Sequence, residues 1–175
     1  MKKAVVLLIV CVCLLTSSTL SETITTHTVL PNDVADNTME TIVHLIEAND
    51  TDSFIQLFSP SVRKENQEFE QSVKDLFSFV KGNIQSVTNA SEGGVSVEKS
   101  SDKGKVYVIY ESVFTLKTDM ETYHICVKEC VRDDFQKANV GLLSFHIINS
   151  RDWQNDYLYR GNKKLLTGIC VEGNV

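Results

Sequence analysis

The feature that most constrains the fold is a set of three alternating segments in the second half of the chain. Residues 106–117, 123–131 and 140–148 are rich in Val, Ile, Tyr and Phe, and only short polar breaks separate them. Breaks of this length permit antiparallel hairpins, because a parallel connection needs a crossover of a dozen or more residues. The pattern therefore predicts an antiparallel meander.

The alternation also predicts how the three strands pair, given a tight turn at Asp119 and Met120 and a loop at 133–137. The expected partners are Leu116 with Tyr123, Phe114 with Ile125, Tyr110 with Glu129, Glu111 with Lys128, Ile125 with Phe145, and Val127 with Leu143. This register gathers the apolar side chains on one face, and a slip of one residue would invert the faces of a strand. We expect that apolar face to meet the rest of the domain.

Helical periodicity predicts three helices before the sheet. Their apolar stripes are Ala35, Met39, Ile42 and Ile46, with Asn32 or Asp33 as the cap; Phe54, Leu57 and Phe58, closed by Pro60; and Phe69, Val73, Leu76 and Val80, ended by Gly82. A further strand is expected at 84–87. Helices followed by a meander indicate an α+β fold, with three N-terminal helices packed on one face of an antiparallel sheet.

The N-terminus is predicted to be a signal peptide over residues 1–21. Lys2 and Lys3 precede an unbroken apolar run at 4–15, and small polar residues follow it. The run spans about 18 Å as a helix, against a hydrocarbon core of ~30 Å. A lipid-modified or uncleaved anchor is the alternative, but Val10 and Val12 before the two cysteines match a lipidation site poorly. The mature domain is expected at 22–175, without a stable membrane span, secreted or associated with the cell envelope.

The charge balance excludes one large class of partners. The chain has 17 basic and 23 acidic residues; removing Lys2 and Lys3 leaves 15 basic residues and a net charge of −8. Phosphate neutralisation needs a basic surface, so the sequence argues against nucleic-acid binding. A protein partner or a small ligand remains, and an acidic surface attracts a cationic partner.

The chain also resembles a known family, in the segments 54–58, 68–82, 110–119, 123–131, 140–148 and 161–169. That family consists of small secreted and lipid-anchored proteins of Gram-positive bacteria. The resemblance implies a curved sheet in a cystatin-like cone, of the kind found in the nuclear-transport-factor-2-like superfamily. The family has no assigned function, so the resemblance carries over no residue roles.

Polar residues on the helix-facing side of the sheet are the candidates for a binding site. Tyr110 and Glu129 lie opposite one another in the predicted register, and Ser112 follows on the same face. A glutamate surrounded by Tyr and apolar residues is expected to have a raised pKa, and in the cone pocket it could act as a general acid or base. Its other expected role is to orient a bound ligand. The plainer interpretation places Glu129 at the sheet margin, in contact with water.

The opposite face carries the cysteines and two histidines. The same register sets His124 across from His146, Cys126 beside Ser144, and Cys130 beside Val140 and Ile109. Strand neighbours point the same way, so four ligands converge poorly on one ion and we expect no metal. Cys126 with His124 or His146 is the remaining option for covalent catalysis. Either Cys126 or Cys130 can bridge to Cys170 if the tail at 150–175 folds back over this face; a homodimer is the alternative cover.

No phosphate loop, hydrolase elbow or zinc-protease motif is present in the sequence, so we expect no catalytic residues and no cofactor. The sequence favours an exported, non-catalytic binding protein that recognises a ligand or protein partner outside the membrane, with an inhibitor or immunity role as one form. The alternative is an enzyme of the isomerase or dehydratase type that uses the cone pocket.

Overall fold

A computed structural model describes residues 30–65, 68–90, 94–153 and 168–172. Within these described residues, four helices precede the sheet. They are α1 (Pro31–Glu47), α2 (Thr51–Leu57), α3 (Pro60–Glu65) and α4 (Phe69–Phe79). Six strands follow: β1 (Ile84–Asn89), β2 (Ser96–Asp102), β3 (Lys105–Thr118), β4 (Thr122–Asp133), β5 (Gly141–Asn149) and β6 (Ile169–Glu172). The predicted signal peptide lies outside the described residues.

All six strands form one antiparallel sheet in the order β1-β3-β4-β5-β6. The long strand β3 has two partners on its outer edge: β1 pairs with its second half and β2 with its first half. At the other end of the sheet, β6 adds four residues to β5. The chain is therefore a sheet-dominated fold.

The predicted fold class, with three helices packed on a curved sheet in a cystatin-like cone, is wrong. Pro60 does not only end α2; it also begins the additional helix α3, since proline is well suited to the first turn of a helix. Strand β2 shows no alternation of apolar and polar residues, because all seven of its residues are exposed. It forms because Lys103 and Gly104, both with positive φ, make the tight turn that returns the chain along β3.

The cap of helix α1 also differs from the prediction. Helix α1 begins at Pro31, after Leu30, and no side chain caps it. Asn32 instead accepts a hydrogen bond from the backbone N–H of Val95 at 3.0 Å, which ties the start of α1 to the segment before β2. In α2 the cap is Asp50, whose carboxylate accepts from the N–H of Ser53 at 2.9 Å.

The hydrophobic core joins the helices to one face of the sheet, which we call the inner face. Phe54 of α2 is fully buried, and its ring meets Phe77 of α4 and Phe145 of β5 edge to face at 5.3 and 5.5 Å. The strand residues of this core on the inner face include Phe114, Leu116, Tyr123, Ile125, Val127, Phe145, Ile147 and Val171. Most of them belong to the apolar face predicted from the alternation.

The predicted pairing of β3 with β4 is confirmed. Leu116 lies opposite Tyr123, Phe114 opposite Ile125, and Tyr110 opposite Glu129. On the other face of the sheet, Lys128 and Glu111 form the expected ion pair at 3.0 Å. The register is correct because the turn between these strands is tight and allows few alternatives.

The predicted pairing of β4 with β5 is wrong by two residues: Ile125 pairs with Ile147, and Val127 with Phe145. The connection includes a 3-10 turn at Lys137–Asn139, and β5 starts at Gly141. A register shift between Lys128 and Glu129 further changes the pairing toward the end of β4. The difference of two residues between the predicted and the observed pairing is an even number. Each side chain before the register shift therefore stays on the face predicted for it.

Candidate functional site

The inner-face candidates lie where β3 and β4 run side by side. Glu129 of β4 is directly opposite Tyr110 of β3, and Ser112 is opposite Val127. Ser112 is buried, whereas Tyr110 and Glu129 are only partly buried. The structure therefore brings the three predicted residues together on two adjacent strands.

Helix α1 completes this group with a residue that the sequence interpretation missed. The hydroxyl of Thr38 donates a hydrogen bond to Oε2 of Glu129 at 2.9 Å. The helix is held across the sheet by Asn32, described above, and by Asp36, which accepts from the side-chain amide of Asn89 at 3.0 Å. We call Thr38, Tyr110, Ser112 and Glu129 the inner polar site.

A signal for Thr38 was present in the sequence. Ala35, Met39 and Ile42 form the buried stripe of α1. Position 38 falls on the same stripe, since residues three and four apart share a helix face. A threonine at a position that helical periodicity places toward the core needs a polar partner, and Glu129 supplies it.

Burial dominates the electrostatics of Glu129. It raises the pKa of this carboxyl above its ordinary value, and the hydrogen bond from Thr38 lowers it by less. The register shift between Lys128 and Glu129 lies at the same point of β4. Bulges of this kind redirect side chains and are frequent beside functional sites.

The chemistry open to this group follows from its donors and acceptors. Among the described residues, the Thr38 hydroxyl is the hydrogen-bond donor to the Glu129 carboxylate. A carboxylate accepts more than one such bond, so it has capacity for a cation or a donor from a ligand. With a pKa raised by burial, the same carboxyl also keeps its proton to a higher pH than an ordinary glutamate does.

The outer face of the sheet, opposite to the inner face, is arranged differently from the prediction. His146 pairs with Cys126, not with His124, because of the two-residue difference in register. His124 pairs with Ile148, accepts or donates a hydrogen bond with the Thr115 hydroxyl at 3.3 Å, and stacks on Trp153 with ring centroids 4.6 Å apart. Burial lowers the pKa of His124.

The three cysteines of the described residues are thiols, not members of a disulfide. Cys170 of β6 lies opposite His146 of β5, so it is two strand spacings, about 10 Å, from Cys126. A disulfide needs Cα atoms within about 7 Å, so this pair is too far apart to bridge. Cys130 lies opposite Ile109, as predicted, but on its other side it pairs with Gly141 and not with Val140. It is fully buried, and this burial raises the pKa of its thiol.

The tail forms part of the sheet in the described segment 168–172, where β6 extends the edge of β5. Trp153 covers His124 on the outer face. Ile169, which we also expected to cover this face, instead pairs with Ile147 and packs against the core on the inner face. The other residues expected there, Tyr157, Tyr159, Leu165 and Leu166, lie outside the described residues.

Across the four described segments, no group of three His, Cys, Asp or Glu side chains is placed to hold a metal ion. None of the helices in those segments is both long enough and apolar enough to cross a membrane.

Comparison with known proteins places the chain in a family. Residues 41–150 match a domain of unknown function, DUF5104, and no curated protein matches the chain. The matched segment runs from α1 through β5 and contains Tyr110, Ser112 and Glu129, whereas Thr38 precedes it and β6 follows it. Because the match covers more than half of the sequence, the chain belongs to the DUF5104 family, whose function is unknown.

Proposed function

We propose that this protein is an exported, non-catalytic binding protein whose inner polar site receives a cationic or hydrogen-bond-donating group of a ligand or protein partner. The proposal includes export through the N-terminal segment 1–21 and an origin in Gram-positive bacteria, which the sequence resemblance implies. An inhibitor or immunity protein against a basic secreted protein is its most specific form.

The observation that carries the proposal is the position of Glu129. A partly buried carboxylate on the inner face costs free energy unless it is compensated. One threonine hydroxyl compensates it only in part, since the pKa of Glu129 stays above its ordinary value. A positively charged or donating group from a partner would complete the compensation, and would bind more tightly for that reason.

The overall charge supports a basic partner. The sequence from residue 22 onward carries an excess of acidic residues, which accelerates the encounter with a positively charged protein and makes that encounter sensitive to salt. The inner polar site would then supply the specific contact, and the acidic surface the attraction at longer range.

The test is affinity capture from secreted proteins of the source organism, using the chain from Glu22 onward. Glu129→Gln is compared with Glu98→Gln, which changes an exposed residue of β2. We expect a stoichiometric partner on the wild type and on Glu98→Gln, and about tenfold weaker binding to Glu129→Gln, as expected for loss of a charge-assisted hydrogen bond. Equal binding by both variants would place the contact elsewhere.

The carboxyl group of Glu129 also supports a second candidate function, that of an enzyme. With its pKa raised by burial and Tyr110 directly opposite, Glu129 has the properties of a general acid or base, as in an isomerase or dehydratase. The two functions differ in what Glu129→Gln changes. A binding protein loses affinity for its ligand, whereas an enzyme keeps much of its affinity and loses turnover.

A further inference from the structure

The outer face carries a second group of reactive side chains, in rows that cross the sheet. One row contains Cys126 of β4, His146 of β5 and Cys170 of β6, each directly paired with the next. Directly paired residues in an antiparallel sheet point to the same face, with Cβ atoms about 5 Å apart. All three are partly exposed, whereas their neighbours Ile125, Ile147 and Val171 are buried on the inner face.

We propose that Cys126 is a thiol-modification site, at which His146 acts as the base and a small disulfide is the substrate. The imidazole of His146 takes the proton of the Cys126 thiol. The resulting thiolate attacks one sulfur of the disulfide, so that its S–S bond breaks and a new S–S bond forms to Cys126. The departing thiolate receives the proton, and the protein is left as a mixed disulfide.

The charged residues near this row of Cys126, His146 and Cys170 favour the thiolate of Cys126 over that of Cys170. Along a strand, residues two apart share a face and lie about 7 Å from one another. This places Lys128 beside Cys126 and Glu172 beside Cys170. A nearby cation stabilises a thiolate and a nearby anion opposes it.

Three further ionisable groups of the described residues lie near His146 and fit the same assignment. Glu111 pairs with Lys128 at 3.0 Å and so weakens, without removing, its positive field. Glu172 lies one row away, diagonal to His146, where it favours the imidazolium that forms when the thiol is deprotonated. His124 lies in the next row and stacks on Trp153.

The geometry also determines the product. Cys170 is two strand spacings from Cys126, about 10 Å, which is too far for it to displace the bound thiol and form an internal disulfide. The mixed disulfide at Cys126 is therefore the stable end of the reaction in the folded protein. An external thiol would be needed to reverse it.

The experiment is the reaction of the native protein with dithiodipyridine, which releases a coloured thiopyridone, followed over a range of pH. We expect one fast thiol, with an apparent pKa below the ordinary value of about 8.5 for cysteine. His146→Gln should slow it about tenfold at neutral pH, as expected when a histidine partner no longer stabilises the thiolate. The matched control is His124→Gln, on the same face but opposite Ile148, and it should react at the wild-type rate.

Two further variants locate the reaction. Cys126→Ser should abolish the fast phase, and Cys170→Ser should keep it. Cys130 serves as an internal control, because it is fully buried and should remain unmodified in the native protein. Thermal denaturation monitors folding of each variant. An unchanged rate in His146→Gln, or a fast phase that survives in Cys126→Ser, would overturn the proposal.

Discussion

Thr38 of α1 and Glu129 of β4 are 91 residues apart in the chain, and their side-chain oxygens are 2.9 Å apart in the structure. This hydrogen bond ties helix α1 to β4, a central strand of the sheet. It also helps to retain a carboxyl group at a partly buried position where burial raises its pKa. The stability and the chemistry of the inner polar site therefore depend on the same contact.

The pH dependence of stability should reveal the raised pKa of Glu129. The folded protein holds the proton of this carboxyl to a higher pH than the unfolded chain does. The contribution of Glu129 to stability is therefore present at low pH and is lost as pH rises from the ordinary glutamate pKa through the raised one. Glu129→Gln removes this loss, so its melting temperature relative to the wild type should increase with pH over that window.

Thermal unfolding of both proteins at several pH values measures this difference. Glu98→Gln is the control for loss of a carboxylate in general, because Glu98 lies on the exposed strand β2. A melting-temperature difference between Glu129→Gln and wild type that stays constant with pH would contradict the raised pKa.

Replacing Thr38 by valine keeps the shape of the side chain and removes its hydroxyl. We expect a loss of about 1–2 kcal/mol in the free energy of unfolding at neutral pH, because a hydrogen bond to a charged group is lost. The pKa of Glu129 should rise further. Denaturant titration measures the first effect, and Thr38→Ser, which keeps the hydroxyl, should retain most of the stability.

The aromatic contacts of Phe54 should be central to folding. Its side chain is fully buried and meets Phe58, Phe77 and Phe145. Phe54→Ala should cost about 3–5 kcal/mol, which is a large share of the stability of a small domain. Phe135→Ala is the matched control, since Phe135 is 48% exposed and its loss should cost no more than about 0.5 kcal/mol. Chemical denaturation of the two variants tests this ranking.

Gly168 should control the docking of β6. Its φ is 101°, and an added Cβ would lie 2.2 Å from the carbonyl oxygen of Ile147, a clash with backbone. Gly168→Ala should therefore displace β6 and increase hydrogen exchange in residues 169–172. Gly104→Ala provides the comparison: Gly104 also has a positive φ, of 80°, but a Cβ there meets no atom within 4 Å. Gly104→Ala should lower the free energy of unfolding only through backbone strain, by about 1 kcal/mol. Equal hydrogen exchange at 169–172 in both variants would show that the clash has no effect.

Local patterns predicted much of the sheet. The tight turn after β3 left one pairing that put apolar residues opposite one another, and Glu111 with Lys128 agreed with it. The longer connection before β5 contains a 3-10 turn whose length the residue pattern did not reveal. Strand β2 was missed because alternation is visible only when one face is buried, and this strand is exposed on both.

The inner polar site, too, could be predicted from the sequence only in part. By itself, the sequence determined that Tyr110, Ser112 and Glu129 share the helix-facing side of two paired strands, since the period of a strand is two and the turn between the strands is short. Only the tertiary structure decided that Thr38 meets Glu129 and that His146 lies between Cys126 and Cys170. Both depend on where distant segments dock, which is set by packing across the whole core and not by any local pattern.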